Sequence, residues 1–136
     1  MKKILQKAIL LGPALVLSTP LTSQTLRSGE PPVSVTAFAS AIALSGGTVF
    51  VGRPGELSFF PAPASHSGTV HAFGLTDDGS WDEHEVISGA GSEPGDGFGD
   101  ALAASGDVLV VGAPRANSGR GTVYIFERGE MGWGAG

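Results

Sequence analysis

An internal repeat restricts the fold of this chain more than any other feature of its sequence. The segment FASAIALSGGTVFVGRP, residues 38–54, is followed at an offset of sixty residues by FGDALAASGDVLVVGAP, residues 98–114. A second pair, GTVHAF at 68–73 and GTVYIF at 121–126, is offset by fifty-three residues, so the first copy has seven extra residues. They fall in the loop 55–67, where insertions into a repeat are expected. The chain therefore contains two copies of one structural unit.

Short apolar segments bounded by glycine divide each copy into four predicted β-strands. The predicted strands are 40–45, 48–52, 68–74 and 81–87 in the first copy, and 100–105, 107–112, 121–127 and a stub at 133 in the second. Val108–Val111 and 123–126 are apolar without a break, which predicts cover on both faces of these strands. The segment WDEHEVIS at 81–88 is charged, as suits the outer edge of a sheet. This profile predicts an all-β fold of two four-stranded antiparallel β-propeller blades, a partial propeller.

The second copy resembles the FG-GAP repeat, the blade unit of integrin-α-like β-propellers and of many exported bacterial propeller proteins. The residues that match the motif are Phe98, Gly99, Gly112, Ala113 and Pro114. The first copy departs from it, because Phe38 is followed by Ala39 and the second half reads Gly52-Arg53-Pro54. The resemblance implies a β-propeller in which the motif residues have structural roles. It also implies that the propeller serves in binding.

The repeat also sets the predicted boundaries of the parts. A degenerate first blade is expected at 38–97, and a second blade, cut short in its last strand, at 98–136. A linker at 24–37 with a partial outer strand would precede them. Since propellers have about four to eight blades, two blades would leave two apolar outward faces. Further blades of a longer chain, of which this would be a fragment, or self-association could cover them. A fragment of a larger propeller is the simpler interpretation, because no finished fourth strand follows Trp133.

The motif residues have predicted structural roles within the hairpin of the second copy. Gly99 and Gly112 border the strands where a side chain would clash or would forbid a positive φ. Pro114 ends the second strand because it cannot donate to a ladder. Phe98 is predicted to fill the space between the blades, and Ser105–Asp107 to form the tight turn.

The N-terminus has the layout of a signal peptide at 1–23. A lysine-bearing head precedes the apolar run 8–17, which is too short for a stable membrane anchor, and Pro20 and small residues follow. The expected locations are therefore secreted, periplasmic or cell-surface. An uncleaved anchoring helix is the alternative.

Charge and cysteine content exclude several classes of protein. The chain has a net charge of −5 and no cysteine. Without residues 1–23, five arginines remain against thirteen carboxylates, so the net charge would be −8. Such acidity repels nucleic acid and anionic lipid, and thiolate chemistry is impossible.

Calcium is not expected between the two halves of the motif. Integrin-like members of the family carry a loop with four aspartates there, whereas this chain has only Ser105–Asp107. No metal or other cofactor is therefore predicted at that position. Glu93, Asp96 and Asp100 lie in a glycine-rich loop, and the sequence leaves open a structural turn or a weak cation site.

No catalytic motif accompanies the three histidines, so the chain is predicted not to be an enzyme. His71 takes the place of Tyr124 in the repeat and is predicted to be a half-buried packing residue. Glu83 and Glu85 are predicted to face away from His84 on a solvated edge strand.

The leading functional hypothesis is an exported, non-enzymatic interaction module that presents loops at one rim. Its partner would be a protein or a carbohydrate. The candidate contact residues are Phe59, Phe60, Arg115 and Asn117. An accessory propeller of a larger secreted hydrolase and a purely structural repeat of a surface protein are the alternatives.

Overall fold

The computed structural model describes residues 24–27, 29, 38–55 and 64–133. The expected signal peptide and the contact residues Phe59 and Phe60 lie outside these described residues. The strands are β1 (Ile42–Ser45), β2 (Thr48–Arg53), β3 (Thr69–Leu75), β4 (Trp81–Ile87), β5 (Ala101–Ser105), β6 (Val108–Ala113), β7 (Thr122–Gly129) and β8 (Gly132–Trp133), with a short helical turn, α1 (Ala116–Gly119). Within the described ranges, no helix is long and apolar enough to cross a membrane.

The eight strands form two four-stranded antiparallel sheets. Their orders are β1-β2-β3-β4 and β5-β6-β7-β8, so each sheet is a simple meander of consecutive strands. The observed bounds lie within two residues of the predicted ones. The prediction of an all-β chain with two propeller-like blades is confirmed.

The two blades share one apolar core. Phe50 of β2 lies edge-on to Trp133 of β8, with ring centroids 5.0 Å apart. The other buried members of this cluster come from both sheets: Val70, Ala72, Ile87, Phe98, Leu109, Val111, Ala113, Ala116 and Phe126. Such burial between two sheets supplies the main stabilisation of a chain that lacks disulfides.

The Phe-Gly loop of the second blade is seated against two glycines of the first. The amide of Phe98 donates to the carbonyl of Ser67 at 3.0 Å. A Cβ on Gly52 would overlap the carbonyl oxygen of Gly99, and one on Gly68 would overlap that of Phe98. The absence of side chains at these positions therefore allows two backbones to pack directly against each other.

In the described part of the chain, only one face of the second sheet is covered. Leu109 and Val111 are fully buried, whereas Val123 is 64% exposed and Ile125 is 61% exposed. These exposed side chains point away from the first blade, because alternate residues of a strand face opposite sides. This face is thus one of the apolar outward faces that two blades alone are expected to leave.

A register shift in β4 overturns the predicted orientation of its carboxylates. The pairing of β3 with β4 shifts between Ala72 and Phe73, whose partners are Glu85 and Glu83. His84 is the extra residue of this bulge, so Glu83 and Glu85 no longer share a face. The carboxylate of Glu85 accepts a hydrogen bond from the amide of Trp133 at 3.0 Å, which joins the two blades.

His71 is fully buried, not half-buried as the sequence predicts. Its Nδ1 lies 3.1 Å from Oε1 of Glu83, and its Nε2 lies 3.0 Å from Oγ1 of Thr69. The other carboxylate oxygen of Glu83 accepts from the amide of Gly29 at 3.0 Å. Glu83 is thus the hydrogen-bond partner of a buried imidazole. The prediction that β4 is a solvated edge strand is wrong at this residue.

Candidate functional site

Two loops at one rim of the second blade form a polar cleft. One loop, 88–100, joins the blades, and the other, 114–121, joins β6 to β7. They meet because Ala101 at the start of β5 pairs with Gly112 near the end of β6. The cleft between them has a volume of ≈ 350 Å³. Its polar lining consists of Glu93, Asp96, Asn117, Ser118, Thr122 and Tyr124.

Arg115 holds the two loops together. Its backbone amide donates to the carbonyl of Asp96 at 3.0 Å, and its Nε donates to the carbonyl of Gly95 at 2.9 Å. Its Nη1 lies 3.3 Å from Oδ2 of Asp100. A Cβ on Gly97 would overlap the guanidinium group. Arg115, named from the sequence as a contact residue, therefore points into the loop and positions the rim.

Asn117 and Ser118 shape the outer wall of the cleft in an unusual backbone conformation. Their φ angles are +53° and +58°, in the left-handed region that non-glycine residues rarely adopt. Two hydrogen bonds close this turn, from the amide of Gly119 to the carbonyl of Arg115 and from the amide of Gly121 to that of Ala116. Both Asn117 and Ser118 are exposed, so their polar groups are available at the rim.

The acidic residues of the joining loop have separate structural roles. Oδ2 of Asp96 accepts a hydrogen bond from the amide of Glu93 at 2.8 Å, which closes a turn. Asp100 pairs with Arg115 instead of joining them. Among the described residues, no group of three or more histidine, aspartate or glutamate side chains is placed to hold a metal ion.

The sequence missed two residues of the cleft, Thr122 and Tyr124. They lie at alternate positions on β7, so their side chains face the same side of the sheet. Alternation on the strand that follows the predicted contact loop is the signal that could have identified them. The ring of Tyr124 is held edge-on by Phe98, with centroids 5.1 Å apart.

The FG-GAP repeat family matches residues 81–126 of this sequence. Residues 81–126 of this chain therefore contain an FG-GAP repeat. The match runs from β4 to β7 and so includes both loops of the rim cleft. No curated protein matches the chain.

The motif residues of the FG-GAP repeat occupy distinct structural positions. Phe98 is fully buried in the core between the blades, and Ala113 is buried at the end of β6 just before Pro114. Gly99 has a φ of +92°, and a Cβ there would lie 2.8 Å from the carbonyl oxygen of Thr69. Gly112 does not have a positive φ, and a Cβ there would lie 3.2 Å from the Cβ of Ala101. The requirement for glycine is therefore strong at position 99 and weaker at position 112.

Proposed function

We propose that this FG-GAP repeat protein is an exported, non-enzymatic interaction module that binds its partner through the rim cleft. One observation carries the proposal: the segment matched by the FG-GAP repeat contains both loops that form the cleft. Loops held by a rigid sheet scaffold are the usual place for recognition residues. Arg115 and the core supply that rigidity here.

The chemistry of the cleft favours a protein segment that carries lysine or arginine. The carboxylates of Glu93 and Asp96 line the cleft, and the whole chain has a net charge of −5. Acidic surfaces attract cationic partners and repel anionic ones. Asn117, Ser118 and Thr122 add neutral donors and acceptors that can orient such a segment.

A structural role for His71 supports the non-enzymatic proposal. Thr69, His71 and Glu83 form a hydroxyl–imidazole–carboxylate chain, an order that many hydrolases use. Here the imidazole is fully buried, and the ring of Phe38 lies edge-on against it at 5.5 Å. A catalytic base must reach the proton that it abstracts, and this imidazole is enclosed.

The proposal of export depends on the N-terminal charge and hydropathy pattern. Mass spectrometry of protein recovered outside the cytoplasm should find a mature N-terminus between residues 19 and 28. An intact Met1 in soluble cytoplasmic protein would contradict export.

Binding at the rim is testable by NMR titration of the purified protein with a lysine-rich peptide. The backbone amides of Gly91, Asn117 and Thr122 should shift on addition of the peptide. The variant Asn117→Gly keeps the left-handed backbone accessible and removes the side-chain amide, so affinity should fall roughly five-fold. Met131→Ala, at a fully exposed site, is the matched control.

Two other outcomes would change the conclusion. Shifts at the same amides with a neutral oligosaccharide, and not with the peptide, would keep the cleft and replace the partner class. Peptide-induced shifts confined to surfaces away from the cleft would refute the proposed site.

A further inference from the structure

The outward face of the second blade has apolar residues at the same repeat positions as a buried face of the first blade. Val70 and Ala72 of β3 are fully buried against the second blade. Their counterparts in the repeat, Val123 and Ile125 of β7, are 64% and 61% exposed. An apolar face that is an interface in one blade is therefore open in the other.

The first blade has the complementary face, which is open along β1 but covered at Val51, His71 and Phe73 of β2 and β3, each at most 2% exposed. Leu102 and Ala104 of β5 pack against the core between the blades. Their counterparts on β1, Ile42 and Leu44, are 64% and 66% exposed. Each chain thus carries an open outward face on its second blade and an open β1 on the complementary face of its first blade, the two surfaces that meet in its own interblade interface.

An apolar groove lies on the outward face of the second blade. Its position is equivalent to the one at which the Phe-Gly loop packs on the first blade. The Phe-Gly loop of the second blade is seated over Gly52 and Gly68, as described above. The counterparts of these glycines, Gly112 and Gly121, line an open groove of ≈ 370 Å³. Within this chain a Cβ on Gly112 would meet no atom closer than the Cβ of Ala101 at 3.2 Å. The groove therefore resembles the surface that the Phe-Gly loop covers on the first blade, but no described loop of this chain covers it.

The loop that fits this groove is present on the first blade. Phe38 lies edge-on to His71 and Phe73 at 5.5 and 6.4 Å, which matches the packing of Phe98 in the second blade. Ala39 has a φ of +69°, in the same left-handed region as its counterpart glycine. The backbone of this loop therefore has the conformation that the interblade contact uses, but Ala39 adds a Cβ at the position where Gly99 has none.

We propose that the protein associates head to tail with other copies of itself. The groove beside Gly112 and Gly121 on one copy receives the Phe38–Ala39 loop of the next, and β6 and β7 pack on the exposed side chains of its β1. The contact is heterologous, so it forms a ring if the rotation closes and a filament if it does not. Three copies would supply six blades, within the range of about four to eight that propellers contain.

Polar groups support the same pairing. Oγ of Ser45 in the first blade donates to the carbonyl of Gly106 in the second at 3.3 Å. The counterparts are Ser105, which is exposed on the second blade, and Gly46, which is exposed in the β1–β2 turn. Head-to-tail association brings the Ser105 hydroxyl of one copy to the Gly46 carbonyl of the next.

The experiment is sedimentation velocity of the full chain and of two variants, each with one blocked face. Wild type should show a mass that rises with concentration above that of the monomer. Ile125→Asp blocks the outward face of the second blade, and Leu44→Asp blocks that of the first. Each variant alone should be monomeric, because either substitution places a charge in the contact. An equimolar mixture should form a dimer of fixed size. Ile125→Asp retains the unmodified first-blade face, and Leu44→Asp retains the unmodified second-blade face.

The equimolar mixture distinguishes head-to-tail association from a monomer and from other modes of association. A monomeric wild type over the whole concentration range, or a mixture that stays monomeric, would overturn it. A dimer of Ile125→Asp alone would also overturn it, because it would show that this face is not required. Met131→Asp, at a site that is fully exposed, should behave as wild type. Ile125 and Leu44 do not line the rim cleft, so failure here leaves peptide binding at the rim unaffected.

Discussion

Replacing Glu83 by alanine should destabilise this protein far more than an ordinary surface substitution. The side chain of Glu83 is only 20% exposed, and its carboxylate lies 3.1 Å from Nδ1 of the fully buried His71. The substitution removes this acceptor from a buried donor, which costs about 1–3 kcal/mol. The amide of Gly29, its other partner, is exposed and can bond water, so it adds little.

Urea denaturation measures this effect directly. With m-values of about 1–3 kcal/mol/M for small domains, a loss of about 2 kcal/mol lowers the midpoint by roughly 1 M. The matched control is Asp82→Ala, which removes the exposed carboxylate next to Glu83 on the same strand. That change should cost at most about 0.5 kcal/mol.

A third variant tests the reason for the effect. Glu83→Gln retains one oxygen that can accept from His71, so its midpoint should lie between those of wild type and Glu83→Ala. Equal midpoints for Glu83→Ala and Asp82→Ala would refute the reasoning, because they would show that the buried imidazole does not depend on this carboxylate.

Three further predictions concern the rim, a hairpin turn and the interface. Arg115→Ala should speed hydrogen exchange in the loop 88–100, because the guanidinium bonds to that loop are lost, and Arg120→Ala should not. Hydrogen bonds from Thr76 and Ser80 lower the pKa of Asp78 to about 2, so its stabilising effect is present above pH 3.8 and is lost as pH falls to about 2. An NMR titration of Thr76→Val should give a higher midpoint for Asp78. Ala39→Gly should tighten self-association about threefold, because it relieves the left-handed backbone strain at Ala39 and removes a Cβ that the counterpart Gly99 lacks.

The sequence by itself determined the strands and turns of this protein. β4 at Trp81–Ile87 coincides with its prediction, and β3 is displaced by one residue. Apolar runs and glycine turns are local properties of a chain, so a repeat of the same pattern predicts the same strands twice. The sequence also indicates Asn117 as a candidate contact residue, because it is a polar residue in the loop that follows the Gly-Ala-Pro motif at the end of β6.

The sequence could not determine the partners of the charged residues. The ion pair of Arg115 with Asp100 joins residues of two different loops, and the contact of Glu83 with His71 depends on a one-residue bulge in β4. Strand periodicity carries no record of a bulge, because one extra residue reverses the faces of all residues beyond it. These contacts follow from the register of the sheets, which only the tertiary structure contains.

The tertiary structure also decided which apolar faces are covered. Val70 and Val123 are the same residue type at the same place in two copies of one pattern, yet one is fully buried and the other is 64% exposed. Burial depends on the neighbouring blade and not on the strand itself, since a strand pattern specifies which residues share a face but not what lies against that face.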